Sequence, residues 1–188
     1  MELIKYIIDN STRFVESGGL IVGFLLVFIE NFIPLLPLSV FVALNVNAFG
    51  FLLGFLLSWS ATCLGSYLCY RFFNYISYYF NKIKFIKRFN KNIEKIENIR
   101  FSELVLILTL PFTPSSLINI LCGITHMKTK KFVFSILIGK FFTILFWGYI
   151  GKSVIKSVTN INSLIYILIT LIISYVISKI ISKKINIE

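Results

Sequence analysis

The sequence predicts an all-α integral membrane protein. Two helical hairpins re-enter the bilayer, each is followed by a transmembrane helix in an inverted repeat, and a further transmembrane helix closes the chain. Three observations predict this. The 188 residues are 57% hydrophobic and 14% charged, with a mean hydropathy of +0.86, which leaves too little polar surface for a soluble domain of this length. Several stretches approach or exceed the roughly 20 apolar residues that cross a bilayer. Two of those stretches are interrupted by paired prolines, Pro34 with Pro37 and Pro111 with Pro114.

The formal charge of +11 does not mark a nucleic-acid binder. The basic residues fall in short loops between apolar segments, where they set orientation and meet anionic lipid. Cys63, Cys69 and Cys122 all lie within apolar segments without a CxxC pair, and read as small packing residues. The N-terminus lacks the basic-then-apolar-then-small pattern of a cleaved signal, so the whole chain is read as mature.

Residues 1–19 form the first unit. Leu3, Ile4, Ile7 and Ile8 alternate with Glu2, Lys5, Asp9, Arg13 and Glu16. Residues 1–17 are thus too polar to span and suit an interfacial helix, which Gly18-Gly19 ends. Residues 20–73 hold the first hairpin and a spanning helix. Proline removes a helix hydrogen bond and biases the preceding residue to extended geometry, so Pro34 and Pro37 split residues 20–48. Each half, about 14 residues, is short for a crossing. Residues 49–73 can cross, with Gly54, Ser58, Ala61, Gly65 and Ser66 giving a small-residue packing face.

Residues 74–100 read as a basic amphipathic cytoplasmic linker. Ile76, Phe80, Ile83, Ile86, Phe89, Ile93 and Ile96 recur at helical spacing. Lys82, Lys84, Lys87, Arg88, Lys91, Lys95 and Arg100 outweigh Glu94 and Glu97. Residues 101–151 repeat the broken hairpin and the spanning helix (132–151). Residues 152–188 hold the last span, 161–181, and a basic tail with Lys183 and Lys184.

One offset relates the halves. It carries Pro34 to Pro111, Pro37 to Pro114, Ser39 to Ser116, Phe55 to Phe132 and Ser58 to Ser135. With the linker in the cytoplasm, helix 49–73 runs inward and helix 132–151 outward, so the hairpins open to opposite sides. That is an inverted-topology repeat, which lets one site face either side in turn. The same count puts the C-terminus in the cytoplasm and residues 1–17 on the outer surface.

The chain resembles the DedA superfamily, also called the VTT-domain or SNARE-associated Golgi protein family. The resemblance rests on E-N-F-I-P-L-L-P (30–37), G-S-Y-L-C-Y-R (65–71), P-F-T-P-S-S-L-I-N-I-L-C-G (111–123) and F-V-F-S-I-L-I-G-K (132–140). It covers about residues 20–151. It implies movement of lipid between leaflets of a bacterial plasma membrane: polyprenyl phosphate or phospholipid in bacterial relatives, phospholipid scrambling in eukaryotic ones. It also maps the family's acidic residue before the first proline pair onto Glu30. Many relatives carry an arginine just before the second pair. This chain has Leu108-Thr109-Leu110 there and Phe112-Thr113 within the pair, so the phosphate contact that arginine makes in those relatives has no counterpart at these positions.

Glu30 is the one acid inside an apolar segment, apart from Glu103 at a segment edge. A carboxylate at membrane depth is costly and tends to be functional, which makes Glu30 a candidate proton carrier. The alternative is a structural acid bonding backbone N–H groups freed at the break beside Asn31. Lys140, mid-span, is a candidate for a lipid phosphate or for pairing with Glu30; the alternative is snorkelling. Arg71 suits an interfacial anchor, with a phosphate contact as its second reading. Ser39, Thr113, Ser115, Ser116 and Asn119 flank the breaks, where helix-end N–H groups bind anions or hydroxyls cap the helices. His126 is read as an interfacial loop residue.

An enzyme is not expected. The chain has no HExxH, GxSxG or P-loop, and Asp9 is its one aspartate. No cofactor and no metal are expected. The function expected is a lipid translocase taking an anionic or phosphate-bearing head group, with protons as a candidate coupling ion. A structural or assembly factor for other membrane proteins and a small-ion transporter are the alternatives. Homo-oligomerisation stays open.

Overall fold

The computed structural model describes residues 2–33, 36–79, 96–157, 169–177 and 179–180. Regular structure among them is helical throughout: α1 (Glu2–Glu30), α2 (Leu38–Phe49), α3 (Phe51–Tyr79), α4 (Phe101–Thr109), α5 (Ser115–Ile124) and α6 (Thr129–Ser157). Residues 169–177 are helical as well. Three stretches are long and apolar enough to cross a membrane: Tyr6–Glu30, Phe51–Ser77 and Thr129–Gly151. Most of the linker expected over 74–100, and the first part of the last span, lie outside the described residues.

The expected spans at 49–73 and 132–151 are the cores of longer helices. Nothing in residues 74–79 or 129–131 breaks a helix, so α3 and α6 extend beyond them and each reach 29 residues. At the front of the chain, α1 runs from the expected interfacial segment up to the first break at Glu30 but is not one rod. Gly19 has φ 64° and ψ −165°, a conformation that side-chain-bearing residues avoid, and it divides α1 into two helical pieces.

The breaks take the same form in both halves. Pro37 caps α2 at φ −82°, ψ 103°, and Pro114 caps α5 at φ −68°, ψ 90°. The position suits proline, whose fixed φ and missing N–H cost nothing at a helix start. Gly50, at φ 80°, turns the chain from α2 into α3.

Packing crosses between the halves. α3 lies against α6, α2 packs on both α3 and α6, and α5 packs on α3. Glycines allow these approaches. A Cβ on Gly123 would fall 2.6 Å from the Tyr70 carbonyl oxygen, and one on Gly151 would fall 2.6 Å from the Ala43 Cβ. Asn45 ties the first three helices: its Nδ2 donates to the Gly23 carbonyl (3.0 Å) on α1 and to Ser58 Oγ (3.0 Å) on α3. Amide bonds of this kind hold helices where hydrophobic contrast with lipid is absent. Phe55 and Phe132, which the offset pairs, are both buried, each in its own apolar cluster. Phe132 stacks on Tyr70 at 4.4 Å, and the Tyr70 hydroxyl donates to the Met127 carbonyl at 2.5 Å. Leu52, Phe134 and Tyr149 are exposed on the long helices, as a lipid-facing surface requires.

Gly54 is the tightest test of this packing, because a Cβ there would lie 2.5 Å from the Asn45 backbone oxygen. Gly54→Val is expected to destabilise the purified protein by about 1–3 kcal/mol, read as a lower thermal midpoint. Gly148→Ala, whose Cβ meets nothing nearer than 3.5 Å, is expected to be silent.

Candidate functional site

A break in an apolar helix frees backbone polar groups that lipid cannot satisfy, so such a break must face protein or a polar cavity. Here the two breaks face a common cavity of about 310 Å³. Glu30, Pro37 and Ser39 line it from the first break. Pro111, Thr113, Pro114, Ser115 and Ser116 line it from the second. Lys140, Thr143 and Trp147 enter from α6.

The polar groups of this cavity are incompletely partnered. Glu30 is 5% exposed and Lys140 fully buried. Glu30 Oε2, Lys140 Nζ and Thr113 Oγ1 have no hydrogen-bond partner among the described residues. Glu30 and Lys140 lie within each other's electrostatic reach, but they form no ion pair; the one ion pair among the described residues is the exposed Arg100–Glu103 contact at 2.6 Å. Neither α2 nor α5 has a side-chain hydrogen bond at its N-cap. Their first turns carry Ser39, Ser115 and Ser116, so two helix N-termini, each the positive end of a helix dipole, border the cavity. An unpartnered lysine amine, a free hydroxyl and two helix starts without side-chain caps thus border one space, groups of the kind that attract an anion. The carboxylate of Glu30 in the same wall sets a limit on its net charge.

Behind the cavity the breaks are tied to α3. Asn31 Nδ2 donates to the Val27 carbonyl (2.9 Å), Ser66 Oγ donates to Asn31 Oδ1 (2.8 Å), and Asn119 Nδ2 donates to Ser66 Oγ (3.1 Å). Asn31 and Asn119 are therefore struts joining the first break to the second, outside the cavity lining. In the second half Thr143 Oγ1 donates to the Leu108 carbonyl at 2.5 Å. The offset that pairs the prolines also carries Ser66 to Thr143 and Asn31 to Leu108, so matched hydroxyls tether matched positions.

Arg71 is exposed on α3 and does not line the cavity. Pro34 lies outside the described residues. His126 sits in the turn after α5 at φ 51°, beside Asn74 Nδ2 (3.1 Å) and Ser77 Oγ (3.3 Å). Thr143 and Trp147 were not singled out in the sequence, and Ser66 was read there only as part of a small-residue packing face. The offset marks Ser66 and Thr143 once it is extended to them; Trp147 carries no such signal.

A family model described as the VTT domain matches residues 36–153. The chain is similar to YhjE, an uncharacterized membrane protein of Bacillus subtilis (strain 168), with 32% identity over 77% of this chain and 70% of the relative. It is also similar to YqeD of the same organism, an uncharacterized protein, with 26% identity over 67% of this chain and 63% of that relative. No solved structure matches it at comparable stringency.

An ammonium without a partner at this depth is a cost to the fold. Lys140→Met keeps the length of the side chain and removes the charge, so it is expected to raise the thermal midpoint, by up to about 3 kcal/mol in stability. A lowered midpoint would mean that the charge is compensated within the protein.

Proposed function

This chain belongs to the VTT-domain (DedA) family of membrane proteins, and on that premise we propose that it is a lipid translocase of the plasma membrane. The two broken segments are read as re-entrant hairpins of opposite orientation that present one cavity to the two leaflets in turn. The observation that carries this reading is the meeting of both breaks in one buried cavity holding Glu30 and Lys140. The cross-packing of α2 on α6 and of α5 on α3, with the matched proline caps, supports the inverted repeat. The cytoplasmic C-terminus rests on the basic tail.

Charge balance supplies a mechanism. Glu30 and Lys140 are the ionisable side chains that line the cavity, with the thiols Cys63 and Cys69 of α3 within electrostatic range of one or the other. With Glu30 ionised, the two charges cancel and an anionic head group gains little. With Glu30 protonated, Lys140 is left uncompensated in a medium that penalises lone charge, and an anion enters to balance it. Proton and head group would then move together, while Thr113 and the α5 N-terminus contact the head group's oxygens.

The test is a leaflet-asymmetry assay with purified protein in proteoliposomes, which also separates a translocase from an assembly factor that needs partners. The wild type is expected to move an anionic phospholipid at least about tenfold faster than Glu30→Gln, a barrier change near 1.4 kcal/mol, and to respond to a pH gradient that Glu30→Gln ignores. Equal rates for wild type, Glu30→Gln and protein-free vesicles would sink the proposal.

A further inference from the structure

Beside the polar cavity lies a second pocket, of about 300 Å³ and of opposite character. Its walls are apolar: Val40, Ala43 and Leu44 of α2, Ile150 of α6, Ile8 of α1 and Leu171 of the C-terminal helix. The Ser39 hydroxyl and the Trp147 indole N–H are the polar side-chain groups among its lining residues. Ser39 and Trp147 line both spaces, so the pocket and the cavity adjoin at these two side chains. Phe112 of the second break stands edge-on to Trp147 at 5.5 Å and to Tyr175 at 5.7 Å, linking the cavity wall to the C-terminal helix.

We propose that this pocket binds one hydrocarbon chain of an acidic amphiphile whose anionic head occupies the neighbouring cavity against Lys140. Three observations meet here. An apolar space of this kind is a poor site for ordered water, which needs two to four polar partners, whereas Ser39 and the Trp147 indole are the polar side chains in its lining. Apolar space left unfilled costs packing energy. The space adjoins the cavity lined by Lys140, which is fully buried and whose Nζ has no hydrogen-bond partner. With Glu30 protonated, a water-soluble anion would satisfy Lys140 and leave the pocket empty, and a neutral lipid would fill the pocket and leave Lys140 uncompensated. An amphiphile with an acidic head satisfies both. Ile8 and Leu171 lie outside the matched family region, residues 36–153, so two walls of the chain site come from the flanking segments of this protein. The inference rests on the translocase reading only in treating the bound amphiphile as its cargo. It changes that reading in one respect: one chain travels inside the protein while the head crosses.

The test uses the full chain in nanodiscs of neutral phosphatidylcholine, with a dodecyl phosphate carrying a diazirine on its chain. Photolabelling is expected to concentrate on Val40, Leu44 and Leu171, above that of the lipid-facing Leu52 and Phe134. Lys140→Gln is expected to lower it about tenfold, the effect of a 1.4 kcal/mol loss in binding, and Lys140→Arg to restore it. Val40→Trp, at a position 48% exposed, fills the pocket without touching the core and is expected to abolish the labelling. Dodecyl phosphate without the diazirine should compete, whereas inorganic phosphate and dodecanol should not. Labelling no stronger than at Leu52 and Phe134, indifference to Lys140→Gln, or full competition by inorganic phosphate would each overturn the proposal. Lipid translocation measured on the same protein keeps the two readings apart. Translocation without pocket labelling overturns the chain site alone, and pocket labelling without translocation overturns the translocase reading alone.

Discussion

The constraint on which the rest depends is that a backbone group buried in hydrocarbon must find a partner within the protein. A continuous helix meets this by itself. A helix broken at Pro37 or Pro114 does not, and the chain answers each break with polar side chains set on the long helices. Ser66 on α3 serves the first break through Asn31, and Thr143 on α6 serves the second through the Leu108 carbonyl. Close approach is a condition of those bonds. A Cβ on Gly65 would lie 2.9 Å from Asn31 Nδ2, and one on Gly139 would lie 2.6 Å from the Leu108 Cβ. The small residues and the hydroxyls are thus two parts of one solution: glycine brings the long helix near, and the hydroxyl beside it closes the hydrogen bond.

Three of the buried polar atoms left without a hydrogen-bond partner face the cavity: Glu30 Oε2, Thr113 Oγ1 and Lys140 Nζ. The Asn31 and Asn119 amide nitrogens and the Ser66 hydroxyl are paired and lie behind it. The separation has a simple origin. A side chain with a protein partner is fixed and unavailable, while one without a partner carries a free-energy cost that a ligand can remove. On the proposed reading, stability and binding pull against each other at Lys140, as is common where a protein keeps a strained or undercompensated group for use.

Much of this was legible in the sequence. The proline pairs marked the breaks because proline acts through local backbone geometry, which is written in the residue itself. The common offset identified the two halves, and the element boundaries follow it closely, with α2 and α5 beginning at paired positions. Glu30 and Lys140 stood out because charge inside an apolar run is rare. The roles of Asn31 and Asn119 were less accessible. Both flank breaks, as cavity residues do, and only the packing of α3 between the halves turns them toward Ser66. Arg71 shows the same limit from the other side: its place near a span's end reads equally as anchor or ligand, and helix rotation puts it on the exposed face of α3. Trp147 sits among many aromatic residues in an apolar helix and has no feature of sequence that sets it apart. Ile8 and Leu171 come from the two ends of the chain and meet through tertiary packing alone.

The exchange of short helices between the halves bears on biogenesis. Val42 of α2 is fully buried, and Ala43 rests against Gly151 of α6. During synthesis α2 leaves the ribosome long before α6 exists, so this face of the first half waits uncovered until the second half is inserted. The first half is thus an unfinished object when made alone. A gene encoding only one half would need a partner that supplies the missing long helix to cover this face.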